Sequence, residues 1–229
     1  LALVLGGVDK NTTTDGKETN PTTTAPSTSA STTDPGKLNA DMTAIKAEID
    51  SMSVADFTET TQTTEYVKVT IKHYGDVVIR LRDDIAPITV ANFQKLVGEG
   101  FYSGTIFHRV IRGFMIQGGG YDEAMTDKDA DAIKGEFKAN GFMQNDLKHT
   151  RGVLSMARTS DPNSASSQFF IMHQDAKHLD GQYAAFGKVT SGLEVVDAIA
   201  ATKTGPQDRP VAEQKIASIT VELNGAELA

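Results

Sequence analysis

The spacing of apolar residues changes at about residue 65. Before that point Leu38, Met42, Ile45, Ile49 and Met52 recur at steps of three and four, the mark of one apolar stripe on a helix of about 15 residues. Such a helix could lie against the rest of the chain or serve self-association. It could equally stay partly frayed, because an isolated helix this short is marginal. From Glu65 the period is two. Tyr66 to Lys72 alternates, His73-Tyr74-Gly75-Asp76 turns and Val77 to Leu81 runs back, which predicts a hairpin. Pro87 to Val97 returns to helical spacing, with Thr89 as a cap, Val90, Phe93, Leu96 and Val97 as the stripe, and Gly98 or Gly100 as the stop. Short strands are predicted at Thr105–Ile111, Phe114–Gln117, Gly152–Met156, Gln168–Met172 and Ala185–Val189. A second helix fits Leu193–Ala200 and a last strand Ile216–Leu223. Many short strands, two helices and few long loops predict a mainly β chain closed into a barrel.

Within this pattern the run Phe107-His108-Arg109-Val110-Ile111-Arg112-Gly113-Phe114-Met115-Ile116-Gln117-Gly118-Gly119 carries the most chemistry. In an extended segment, alternate side chains share a face. Arg109, Ile111, Met115 and Gln117 therefore share one parity, and Val110, Phe114 and Ile116 the other. A kink at Gly113 would swing Phe114 to the Arg109 side. The expected result is an apolar saucer rimmed by an arginine and an amide. It suits a neutral, greasy group and offers no nucleophile or general base.

A second cluster, Ser155-Met156-Ala157-Arg158 followed by Ser167-Gln168-Phe169-Phe170-Ile171, matches the first. With Ala86-Pro87-Ile88-Thr89-Val90-Ala91-Asn92-Phe93 and Phe186-Gly187-Lys188-Val189, the two runs resemble the cyclophilins, the cyclosporin-binding class of peptidyl-prolyl isomerases. The resemblance covers about Glu65 to Leu223 and is closest to bacterial, Gram-positive exported members. It implies an eight-stranded closed antiparallel β-barrel capped by two helices, with the active groove on its outer face. Arg109, Gln117 and Phe114 would then be the catalytic set. Met115, Ala157, Arg158, Thr159, Gln168, Phe170, His178, Leu179 and Tyr183 would bind substrate, and no cofactor or metal is implied.

The chemistry implied is rotation about X-Pro bonds. Amide resonance sets a barrier of about 18–20 kcal/mol, so uncatalysed exchange takes tens to hundreds of seconds. No covalent bond breaks. A donor aimed at the lone pair of the twisting nitrogen, or at the moving carbonyl, stabilises the twisted amide selectively. Arginine suits this role, because it is a fixed cation with a fork of donors and takes no part in proton transfer.

The sequence departs from the best-known eukaryotic pattern around the groove. His178 stands where that pattern has Trp, so cyclosporin is expected to bind weakly. Tyr183 replaces a His but can still stack and donate. Arg158-Thr159 replaces Asn-Ala, with one extra residue in Ser160–Ser166, which would alter preference before proline. Arg112 replaces a Pro and affects only the local turn.

Composition adds the surroundings. Residues 11–34 hold 13 Ser or Thr in 24 positions and almost no large apolar side chain. Such a stretch cannot bury enough surface to offset its ordering entropy. The expected layout is a signal-peptide and lipobox remnant at 1–8, a flexible linker at 9–37, helix and connector at 38–64, the isomerase-like domain at 65–224 and a tail at 225–229. Leu5-Gly6-Gly7-Val8 resembles a bacterial lipoprotein box with Val8 where the acylated Cys would stand. A tether by that route, with a linker reach of roughly 30 Å, would place the domain outside the cytoplasm at the cell surface, but Val8 cannot be acylated.

Of the net charge of −8, residues 1–37 carry −1 and 38–64 carry −4, leaving −3 for the remainder. No basic stripe exists to neutralise phosphates, so nucleic acid is not an expected partner. The absence of Cys excludes disulfides and thiolate chemistry. The five histidines, 73, 108, 149, 173 and 178, show no metal-ligand spacing.

The expected partners are proline-containing peptides and unfolded or exported proteins, met by a monomer. Two other readings stay open at this stage. One is a module on the same fold that grips proline segments without turnover, and the other is a scaffold acting through the 38–56 helix.

Overall fold

The structure, a computed structural model, describes residues 66–212 and 214–222. The expected remnant at 1–8, linker at 9–37, helix and connector at 38–64 and tail at 225–229 lie outside the described residues.

Alternation in the first strand builds the hairpin. In β1 (Tyr66–Ile71), Val67, Val69 and Ile71 are buried while Tyr66, Lys68 and Thr70 are half-exposed. β2 (Gly75–Leu81) answers with buried Val77, Ile79 and Leu81. The register pairs Val67 with Ile79 and Val69 with Val77, so one face of the ribbon is aliphatic. The following strands are β3 (Arg109–Ile111), β4 (Met115–Gly118), β5 (Val153–Met156), β6 (Phe169–Met172), β7 (Ala185–Ser191) and β8 (Ile216–Glu222). They form one antiparallel sheet in the order β3-β4-β6-β5-β7-β2-β1-β8. Helix α1 (Pro87–Gly98) packs against β8, and α2 (Leu193–Ala200) against β2, β3 and β4.

The mainly β architecture with two helices stands as expected, but the closed ladder needs correction. The edge strands β3 and β8 are not paired with each other. The stretch leading into β3 spans the gap instead. Ile106 bridges Lys215, the Phe107 amide donates to the Gln214 carbonyl at 2.9 Å, and the Ile216 amide to the Thr105 carbonyl at 2.8 Å. Thr105–Phe107, expected as the start of a strand, is therefore a seam of isolated bridges. Residues 119–152, to which the sequence assigned no element apart from Gly152, form a long irregular stretch broken by one turn of 3-10 helix at Lys138–Asn140.

The main core lies inside the curl of the sheet. Phe93 on α1 sits 5.1 Å from the Tyr102 ring, 5.7 Å from Phe169 and 5.3 Å from Phe186, ring centre to ring centre. A second apolar cluster covers the other face of β4, β5 and β6. It holds Met115, Val153, Ala157, Phe170, Met172, Ala176, Leu179, Tyr183 and Ala185. Every residue of β4, β5 and β6 is therefore buried.

The start of α1 differs from expectation in an instructive way. Thr89 does not cap the helix; Ala86 stands at the cap and offers no side-chain bond. The free amides of the first turn find a carboxyl group 47 and 48 residues away. Glu136, fully buried, accepts from the Ile88 amide at 3.0 Å, the Thr89 amide at 2.7 Å and the Thr89 hydroxyl at 2.7 Å. The side-chain amide of Asn145 holds the Glu136 carbonyl at 2.8 Å and the Ala185 carbonyl at 2.9 Å, tying the irregular stretch to β7.

Glu136→Ala orphans three donors, so it is expected to lower unfolding free energy by roughly 3 kcal/mol, while Glu136→Gln, which keeps an acceptor, should lose less. Urea unfolding midpoints check this, and an unchanged midpoint for Glu136→Ala would refute the capping role.

Candidate active site

The outer face of the sheet is assembled by register. Arg109 on β3 lies opposite Gln117 on β4, Gln117 opposite Phe170 on β6, Phe170 opposite Ser155 on β5, and Ser155 opposite Ala185 on β7. Cross-strand neighbours stand about 4.5–5.5 Å apart at Cβ, so these five residues form one row. The next row pairs Ile111 with Met115 and Met115 with Met172. Val110 and Ile116, of opposite parity, enter the main core.

Gly113 supplies the expected turn. Its φ of +79° suits the left-handed region that glycine enters freely, and the Phe114 amide closes on the Ile111 carbonyl at 3.0 Å. Phe114 thereby joins the outer cluster beside Met115. Its ring stacks on exposed His178 at 5.7 Å and 26°. His173 secures this corner: its amide donates to the Phe114 carbonyl at 2.9 Å and its Nδ1 accepts from the Gly113 amide at 3.1 Å. With Nδ1 accepting, Nε2 carries the proton and donates to Asp197 at 3.3 Å.

The two glutamines are joined. Gln117 Nε2 donates to Gln168 Oε1 at 3.0 Å, and Gln117 Oε1 is a buried acceptor without a partner among the described residues. Gly120 makes room for this pair. A Cβ there would stand 2.4 Å from Gln168 Cγ and Nε2. Arg109 is partly buried, and its Nε donates to Asp208 Oδ2 at 3.3 Å.

Other expected residues sit around this row, some with their polar groups already engaged. The Ala157 amide donates to the Gln168 carbonyl at 2.9 Å. Arg158 closes the wall: its guanidinium donates to the Gln182 and Thr159 carbonyls, at 2.9 and 2.8 Å, and lies 4.7 Å from the Tyr183 ring and 5.0 Å from Phe137. Thr159 bonds Ser164 through both its amide and its hydroxyl. Met115, Phe170 and Leu179 are buried and make the floor. Phe114 and Arg109 are half-buried and His178 is exposed beside that floor.

The sequence reading missed the support beneath Phe170. His149, buried, stacks on Phe170 at 6.1 Å and 18°. Its backbone amide donates to Asp180 Oδ1 at 2.7 Å, and its Nδ1 faces the same oxygen at 3.4 Å. A carboxylate accepts only, so Nδ1 bears the proton and Nε2 accepts from the Ser155 hydroxyl at 3.0 Å. No spacing rule marks such a histidine; its signal lies in a stack between an irregular segment and a later strand.

The outer face of the sheet thus sets a guanidinium and two side-chain amides beside an apolar floor. Comparison with known proteins gives the class: residues 66–221 match the model of the cyclophilin type peptidyl-prolyl cis-trans isomerases, and the chain belongs to that family. A peptidyl-prolyl cis-trans isomerase of Arabidopsis thaliana is 46% identical over 151 residues, which cover 66% of this chain and 92% of that protein. Peptidyl-prolyl cis-trans isomerase B of Escherichia coli is 46% identical over 162 residues, covering 65% of this chain and 95% of that protein. Among solved structures, a cyclophilin type isomerase of Cryptosporidium parvum superposes with a TM-score of 0.62 at 32% identity, over 70% of this chain and 98% of that chain. The chain is therefore a peptidyl-prolyl cis-trans isomerase.

Two buried histidines give the domain an acid limit. Burial, chiefly, lowers His149 from 6.5 to about 4, against the pull of Asp180. Burial, helped by the charges of Arg109 and Arg209, lowers His108 from 6.5 to about 4. The unfolded chain takes up these protons first, so stability is full above about pH 6.5 and is lost progressively as pH falls from there to about 4. The expected loss is roughly 3 kcal/mol per histidine. Urea unfolding at pH 7 and pH 4.5 checks it, and equal stabilities would contradict the assignment.

Proposed function

We propose that Arg109 stabilises the twisted prolyl amide through its terminal guanidinium nitrogens, while Phe114, Met115, Phe170 and Leu179 receive the proline ring. The supporting observation is the row Arg109, Gln117, Phe170, which sets a charged donor, an amide and an apolar surface side by side on three neighbouring strands. Gln117, with its unpartnered Oε1, accepts from a backbone amide of the substrate. Gln168 fixes the orientation of Gln117 and, with the backbone around Ala157, meets the residues before proline. Arg158, Thr159, His178 and Tyr183 form the wall that sets preference there. The substrate class is a proline-containing peptide. A structure of the Cryptosporidium parvum isomerase obtained in the presence of the dipeptide Ala-Pro, with a TM-score of 0.61 to this chain, favours that class.

We further read the protein as a monomeric folding helper for exported proteins, held outside the cytoplasm at the cell surface. Its support is the Ser/Thr-rich 9–37 stretch behind a lipobox-like Leu5-Gly6-Gly7-Val8. A Val8→Cys chain expressed in a bacterium should move to the membrane fraction; a chain that stays in the soluble fraction argues against the tether.

The mechanism is tested by cis–trans exchange of an Ala-Pro peptide. Arg109→Ala is expected to reduce kcat/KM by about 100-fold, the usual scale for one preorganised donor, and a rate equal to wild type would sink the reading. Cyclosporin should inhibit weakly. His178→Trp is expected to tighten it by about an order of magnitude, since a buried indole is a strong anchor.

A further inference from the structure

The turn Pro206–Asp208 holds two consecutive non-glycine residues in the left-handed region, Gln207 at φ 59° and Asp208 at φ 60°. That conformation crowds a side chain against its own backbone and persists only where the surroundings enforce it. They do so here. The Gly205 amide donates to the Arg209 carbonyl at 2.8 Å and the Val211 amide to the Lys203 carbonyl at 2.9 Å, while Thr204 bridges Pro210. This braced loop delivers a carboxylate to Arg109, with Nε to Oδ2 at 3.3 Å.

The pair is a poor candidate for a stability device. Asp208 is 44% exposed, and exposed ion pairs contribute little to folding. Its geometry suits another purpose. The contact uses Nε, and among the described residues the two terminal nitrogens of Arg109 make no hydrogen bond. Because a guanidinium is planar, holding Nε restrains the plane of the whole fork.

The geometry points to Asp208 as a positioning residue of the isomerisation, holding Arg109 by Nε so that both terminal nitrogens remain for the twisting amide. This rests on Arg109 being the group that touches that amide. A long side chain held before substrate arrives loses less rotamer freedom on binding and starts nearer the productive geometry. The restraint acts only through Arg109. Asp208 itself meets neither the proline ring nor the rotating bond.

The test is Ala-Pro peptide exchange, followed by NMR with thermal melts alongside, for wild type, Asp208→Ala, Asp208→Asn, Arg109→Ala and the Arg109→Ala/Asp208→Ala double variant. Asp208→Ala is expected to lower kcat/KM roughly fivefold to tenfold, mainly in kcat, while Asp208→Asn, which keeps an acceptor oxygen, stays within about twofold of wild type. The double variant should be no slower than Arg109→Ala alone. Asp208→Ala at or above the wild-type rate overturns the inference. So does an equal loss in Asp208→Asn, or a double variant slower than Arg109→Ala. If Arg109→Ala itself runs at the wild-type rate, the reading of Arg109 fails first and separately.

Discussion

The pairing of β4 with β3 on one side and β6 on the other determines which side chains reach the outer face. A slip of one residue would send Arg109 and Gln117 inward and bring Val110 and Ile116 out, because side chains alternate along a strand. Two buried faces guard against that slip. Val110, Ile116, Phe169 and Ile171 fit the main core, while Met115, Phe170 and Met172 fit the second cluster. Neither set can be exchanged for the other without burying a guanidinium and an amide among phenylalanines. The register that builds the core thus also aligns the site, and the site depends on strands of only three and four residues.

Around that row some side chains are held by many contacts and others are more exposed. Arg158 sits between the rings of Phe137 and Tyr183 and binds the Gln182 carbonyl, so it joins the irregular 119–152 stretch, the Thr159 loop and the segment before β7. Tyr183 packs edge-on to Phe170 at 6.0 Å, and His149 stacks on Phe170's ring. The floor is therefore backed by aromatic side chains from several segments. Other contacts at the site are more exposed: His178 over Phe114, and Asp208 beside Arg109.

Much of this was legible in the sequence because the relevant signals are local. The parity of Arg109 and Gln117, the turn at Gly113 and the stripe of α1 each need only a few neighbouring residues to be read. The helix Leu193–Ala200 matches its expected ends, and Phe114 lies on the expected side. What escaped is non-local. Glu136 caps a helix far away in sequence, His149 finds its meaning under Phe170, and Asp208 reaches Arg109 across 99 residues. The closure of the barrel was overestimated for a related reason. Periodicity marks Thr105–Phe107 as extended, but it cannot tell a ladder from a few isolated bridges.

The Glu136 contact also bears on the order of events during synthesis. A chain that has emerged to residue 130 contains the whole of Pro87–Gly98 but lacks the carboxyl group that satisfies its first turn. A 12-residue helix is marginal by itself, and its aromatic anchor Phe93 waits on Phe169 and Phe186 from still later strands. Helix α1 is thus an early segment that matures late. The contacts that anchor the helix are complete only after the chain has passed Phe186 on β7.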